Sequence, residues 1–451
     1  MNNAAEAPQS QSGADSPWKR ALLWLLLLGP FFFLSYGYAN KLAAARSVTD
    51  SVVFGWERDI PFVPWTIVPY WSIDLFYGLS FLSCRTREQV DRHALRLLSA
   101  QLISVACFIL FPLHFSFERP ATDGFFGSMF DLLTGFDQPY NQAPSLHISL
   151  LVILWVRYAA ATSGAWRMIP HLMAALIGVS VLTTYQHHFI DVPTGALVGL
   201  FCLWLWPDAG APPWSRWQLA HSAARLRITA LYFLAALALA TIAAGFGGSA
   251  LWLWWPAVSL LMVALIYLGI GADGFQKAHG RLSIAVLALL APYLAGAWLN
   301  SRWWTRHHPL PDEIADGVWL GRMPTRHDMK AGGFAALCDF TAELAAPQGD
   351  WQAANLPCLD LLVPDADQLL AAARIIEAQR GRGPLLVCCA LGYSRSACAV
   401  AAWLLLTGRA LTAEEAISRI ALRRPKIALG AAHRRALAEC LGKAAAETAH
   451  V

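Results

Sequence analysis

For its first three hundred residues the chain alternates long apolar runs with short polar breaks, and after about residue 309 the runs shorten to strand length. Crossing about 30 Å of hydrocarbon takes roughly 17–25 apolar residues. Stretches of that kind lie at 20–36, 65–83, 95–113, 145–162, 168–186, 190–206, 228–246, 250–270 and 282–300. The pattern predicts a multi-span α-helical membrane region of six plus three helices, at 20–207 and 228–300, behind a polar tail at 1–19. From 309 to 451, short apolar segments at 334–340, 356–362 and 384–389 alternate with helix-like ones at 366–380 and 396–407. Thr412 and Glu415 are spaced as a capping box opening another helix. This alternation predicts a small α/β domain with helices packed on a mainly parallel sheet.

Composition agrees, since 57% of residues are hydrophobic and only 14% charged, and half of the charged ones fall after residue 301. The net charge of +4, without a Lys/Arg block interleaved with aromatics, argues against nucleic-acid binding. Six of the nine cysteines lie in the last third without the spacing of a disulfide framework or a zinc site, so reduced thiols are expected. Arginine-rich loops after the second helix (Arg85, Arg87, Arg92, Arg96), the fourth (Arg157, Arg167) and the sixth (Arg216, Arg225, Arg227) mark a cytoplasmic side. Lys19-Arg20 before an apolar run with no small-residue cleavage site predicts a signal anchor. The loops after the third and fifth helices then face outward. Nine spans would carry the last third outside, whereas Arg302, Arg306 and the thiols favour inside.

The outward loops hold three polar clusters: Arg119-Pro120; Ser145 and His147; and His187, His188 and Asp191. Ionisable residues at the ends of spanning helices are functional candidates. If the helix extends through both, His187 and Asp191 share a face, and the carboxylate fixes the imidazole tautomer. His187 can then attack phosphorus, His147 protonate the leaving oxygen, and Arg119 and Ser145 hold phosphate oxygens. His188 is expected only to line the pocket. These residues resemble the phosphatidic acid phosphatase type 2 superfamily, over roughly 60–207. The resemblance rests on Arg119-Pro120, Pro144-Ser145-Leu146-His147 and His187 with Asp191, and implies a six-helix fold and a metal-free phosphohistidine. Pro112 and Val181 stand where that family has Lys and Arg. This departure resembles the inositol phosphorylceramide synthase branch, which leaves head-group transfer open beside monoester hydrolysis.

The stretch "VCCALGYSRSA" supplies the second site. Cys389 ends a strand, Gly392 permits a tight loop, Arg395 follows six residues on, and Ser396 opens a helix. Amides of such a loop suit an anion and lower the thiol pKa. Arg395 can chelate phosphate, Cys389 attack in line, and Ser396 aid thiolate departure; Asp360 is the expected general acid and Asp365 the fallback. Residues 312–445 resemble the cysteine-based dual-specificity phosphatases, through "DGVWLGRMP" at 316–324, Asp360 and the Cys-x5-Arg-Ser loop at 389–396. Cys388 replaces that family's usual histidine before the nucleophile, so a non-catalytic phosphate-binding module also stays open. Ala390, Leu391, Tyr393 and Ser394 carry no charge, which favours a phospholipid monoester or a phosphoprotein over polyphosphorylated inositol lipids. The expectation is a bifunctional phosphatase, with no cofactor, of a bacterial inner membrane. Its membrane site would face outward, and its substrate would be a lipid phosphate.

Overall fold

A computed structural model describes residues 17–449; the polar tail expected at 1–19 lies outside them as far as Ser16. The chain divides into two compact units, one ending at Pro212 and the other beginning at Pro213.

The first unit is helical: α1 (Pro17–Ala45), α2 (Ile67–Ser80), α3 (Arg87–Leu110), α4 (Gly124–Phe136), α5 (Leu146–Ala161), α6 (Met168–Thr183) and α7 (Asp191–Leu205). Side-chain oxygens of Thr86 and Ser145 accept the orphan amides that open α3 and α5.

The second unit continues with α8 (Ala223–Phe246), α9 (Trp254–Leu265), a π-turn at Ile266–Ile270, α10 (Ile284–Leu289) and α11 (Ala291–Trp304). Then follow β1 (Asp312–Ala315), β2 (Val318–Arg322), α12 (Arg326–Ala331), β3 (Ala336–Thr341), β4 (Gln352–Cys358), α13 (Ala366–Arg380), β5 (Leu385–Cys389), α14 (Arg395–Leu406), α15 (Ala413–Arg423) and α16 (Ala431–Ala449). The strands form one sheet in the order β1-β2-β5-β3-β4, antiparallel at β1–β2 and parallel elsewhere. The alternation of the strand sets the two faces. Leu385, Val387 and Cys389 join the core under α13–α16, while Leu386 and Cys388 join a smaller cluster with Met323, Met329 and Phe334, against which Ala297 of α11 packs.

Among the described residues, five helical segments are long and apolar enough to cross a membrane: Pro17–Ala45, Arg87–Leu110, Gly164–Thr183, Ala223–Phe246 and Gly248–Ile270. Five of the nine candidate stretches of the hydropathy pattern fall on these segments. Of the others, 145–162 and 190–206 are shorter apolar helices. The run at 65–83 holds a helix of 14 residues, about 21 Å long. The run at 282–300 breaks at Leu290, because Pro292 in the first turn of α11 cannot continue the preceding helix. Helix α4 was not expected from the sequence. Thr412 accepts the Glu415 amide as predicted, but the Glu415 carboxylate accepts from Leu411 N–H rather than closing the box on Thr412.

Candidate active sites

The β5–α14 turn carries the second unit's site. Gly392 has φ +74°, and a Cβ there would lie 2.4 Å from the Gly321 carbonyl, so both conformation and space require glycine. Every carbonyl from Ala390 to Ser394 accepts a hydrogen bond from a group around the loop. The donors are Ser301 Oγ for Ala390 (2.5 Å), Arg424 Nη2 for Leu391 (3.1 Å), Arg424 Nε for Gly392 (3.0 Å), Ala428 N for Tyr393 (2.7 Å) and Cys398 N for Ser394 (2.8 Å). With its oxygens so engaged, the loop forms a nest of amides suited to an anion. Gly392 N and Ser396 Oγ each donate to Cys389 Sγ at 3.2 Å. Burial alone would raise the Cys389 pKa. The Arg395 charge, the Ser396 hydroxyl and the Gly392 and Ser396 amides outweigh it, leaving the thiol below its ordinary value.

Arg395 is 1% exposed, and a buried guanidinium must be paired. Its two amino groups reach the two oxygens of Glu343 at 3.0 and 2.7 Å, while Nη1 also donates to Cys358 O at 2.8 Å and Nη2 to Asp360 Oδ1 at 2.8 Å. The bidentate pair fixes the plane of the guanidinium. Burial raises the Asp360 pKa and Arg395 offsets only part of the rise; in Glu343 the arginine wins and the pKa falls. One carboxyl is thus biased toward its acid form and the other toward its anion. Asp360 lies in the turn after β4, against Arg395. Asp365, the fallback, instead caps α13 by accepting Gln368 N–H at 2.8 Å. Glu343 was missed: it lies two residues past β3, and no spacing to Cys389 or Arg395 marks it in the sequence.

Cys388 is fully buried on the other face of β5, among apolar side chains, and burial pushes its pKa well up. The loop is instead tied by Ser301 and Arg424, the latter also held by Asp312 at 2.8 Å.

In the first unit the three polar clusters come together. His187 Nδ1 is 3.1 Å from Asp191 Oδ2 and its Nε2 is 3.0 Å from Ser145 Oγ. The reason differs from the one predicted: α6 ends at Thr183, α7 starts at Asp191, and His187 sits in the turn between them, its N–H on Val181 O. Arg119 donates to the carbonyls of Thr184 and Tyr185 at 3.2 and 3.3 Å and lies over the Phe130 ring. His147 stacks on Tyr70, ring centroids 4.2 Å apart, and its Nε2 has no hydrogen-bond partner. His188 is locked between Glu57 (3.1 Å) and Ser116 (3.1 Å). Two residues that the sequence reading passed over complete the surroundings: buried Glu57, and Asp137, which accepts from Tyr36 at 2.7 Å and Tyr70 at 3.5 Å. Glu57 opens the charged triplet Glu57-Arg58-Asp59 and Asp137 stands at the polar end of an apolar run, so neither stood out in the sequence.

Residues 319–441 match the family model "Dual specificity phosphatase, catalytic domain". No curated protein matches the chain. Among solved structures it is similar to Tk-PTP in the active form (24% identity, 30% of this chain and 97% of that one, TM-score 0.27). It is likewise similar to PTPMT1 (23%, 31% and 99%, TM-score 0.28) and to human DUSP28 (21%, 30% and 99%, TM-score 0.28). The matched residues enclose both the loop that bears Cys389 and Arg395 and the turn that bears Asp360. Residues 319–441 form a dual-specificity phosphatase catalytic domain, and the chain is a phosphoric monoester hydrolase.

Proposed function

We propose that the chain is a membrane-embedded phosphatase with two independent sites, acting on phosphomonoesters of phospholipids through a phosphocysteine on Cys389 and a phosphohistidine on His187. At the first, the Cys389 thiolate attacks phosphorus as the ester P–O bond breaks, and Asp360 gives its proton to the leaving oxygen. Arg395 and the loop amides hold the remaining oxygens. Water then attacks the phosphocysteine, Asp360 takes its proton, and the Ser396 hydroxyl supports the departing thiolate. An uncharged loop wall at Ala390, Leu391 and Tyr393 suits a single phosphate better than several.

The observation that carries the second site is the line Ser145–His187–Asp191. Asp191 keeps the imidazole proton on Nδ1, which leaves the Nε2 lone pair for attack. Ser145 and Arg119 hold phosphate oxygens, and the unpartnered His147 Nε2 protonates the leaving oxygen. A buried imidazole nitrogen without a partner costs about 1–3 kcal/mol, an expense that a bound phosphate would relieve. Neither scheme needs a metal.

The full-length protein in vesicles containing phosphatidate, assayed for phosphate release, tests the reading. His187→Ala and Cys389→Ser should each lower release from lipid and the double variant should abolish it, while a water-soluble aryl phosphate should lose its turnover in Cys389→Ser and keep it in His187→Ala. Unchanged lipid turnover in both single variants and in the double variant would reject it. Head-group transfer is the second reading, because Val181, where a second cation would stand, is buried and apolar. It requires labelled head group to appear on an acceptor lipid.

A further inference from the structure

Three groups from α8–α11 grip the three pieces of chain that build the thiol site. Tyr267, in the π-turn after α9, donates its hydroxyl to the carbonyl of Asp360 at 3.0 Å. Lys277 reaches Asp339, Thr341 O (2.7 Å) and Thr341 Oγ1 (2.9 Å), at the end of β3 two residues before Glu343. Ser301 of α11 ties the loop at Ala390. Two further phenols, Tyr232 and Tyr293, lie with their ring centroids 5.7 Å apart, and Tyr232 is also 5.7 Å from Tyr267.

The Asp360 contact falls at a critical place. Leu361, the next residue, has φ +59°, a left-handed conformation that a leucine adopts only under constraint. Its side chain is 69% exposed, so no packing of its own holds the turn. The carbonyl of the peptide between them is held by the Tyr267 hydroxyl, while its N–H donates to the Asp360 carboxylate, itself held by Arg395. Tyr267 is itself fixed: Arg225 of α8 donates to its carbonyl at 2.5 Å, and Gly271 N–H closes the π-turn on Ile266 O at 2.9 Å. The π-turn forms the C-terminal end of the helix that begins with α9.

We propose that Tyr267 is a positioning residue for the general acid: by holding the Asp360 carbonyl it keeps the strained turn in the conformation that presents the Asp360 carboxyl to the leaving oxygen. This rests on the reading of Asp360 as the acid. The charged and titratable groups facing Asp360 are Arg395 of α14, Glu343 past β3, and Tyr232, Tyr267 and Tyr293 of the helical segment.

The experiment compares the full-length wild type with Tyr267→Phe, Asp360→Asn and the double variant. Each is assayed with an alkyl phosphate, whose leaving oxygen needs a proton, and an aryl phosphate bearing a strongly acidic phenol, which does not. Loss of one well-placed hydrogen bond should lower alkyl turnover by about 10-fold. Aryl turnover should stay within about twofold, which also shows that the variant is folded, and the alkaline fall of the alkyl pH profile should flatten. In the Asp360→Asn background the same substitution should then have no further effect. Equal losses on both substrates, no loss on either, or full additivity with Asp360→Asn would each overturn the proposal. If Asp360→Asn itself leaves the alkyl-to-aryl ratio unchanged, the acid assignment falls with it; a changed ratio there with an unchanged Tyr267→Phe rejects the role of Tyr267 alone.

Discussion

The thiol cluster and the imidazole cluster differ most in how much of the protein surrounds the proposed attacking atom. Around Cys389 stand two hydrogen-bond donors to sulfur and a guanidinium with its own bidentate anchor. Around His187 there is one carboxylate, one hydroxyl and a single arginine directed at backbone carbonyls. The chemistry explains the difference. A thiol must lose a proton to attack, so its anion needs a compensating field, whereas a neutral imidazole needs only the correct tautomer.

The sharpest break of that comparison is Cys389→Ser, expected to lower aryl phosphate turnover by about 10⁴-fold or more, while the proposed His187 site keeps its lipid turnover. Next is Asp360→Asn. Thiolate is present above the depressed Cys389 pKa and lost as pH falls through it. The Asp360 proton is present below its raised pKa and lost as pH rises through it. Turnover of alkyl phosphates should therefore be bell-shaped, and Asp360→Asn should abolish the alkaline limb and cost about 10²–10⁴-fold. Glu343→Gln leaves a buried guanidinium with one anion fewer. Denaturant titration should show a loss of about 3 kcal/mol, with a higher KM for phosphate esters, since Arg395 loses its fixed plane. The smallest effect belongs to Cys388→His, which puts a larger polar ring into a filled apolar cluster. A loss of about 1–3 kcal/mol in stability is expected, with little change in the Cys389 titration followed by thiolate absorbance, because the loop is ordered from Ser301 and Arg424. A large downward shift of that pKa would show instead that the missing histidine matters.

Much of the thiol site was legible because it is local: Cys389, Gly392, Arg395 and Ser396 sit in one turn whose spacing is its signature, and Asp360 follows a strand. Glu343 was not, since its role depends on a strand neighbour brought over by parallel pairing. The apolar pattern located most helices, but hydropathy does not see where Pro292 interrupts the run at 282–300. In the first unit the residue pair His187 and Asp191 was found for a helical reason and is joined by a turn.

The ties from Tyr267, Lys277 and Ser301 carry a practical corollary about severability. Cutting the chain near residue 309, where the hydrophobic pattern invites it, would keep every residue of the phosphatase signature and discard the fasteners of its acid turn, its β3 end and its anion loop. The catalytic domain recognisable in sequence is thus smaller than the unit that would have to be inherited, exchanged or expressed together for the site to keep its shape.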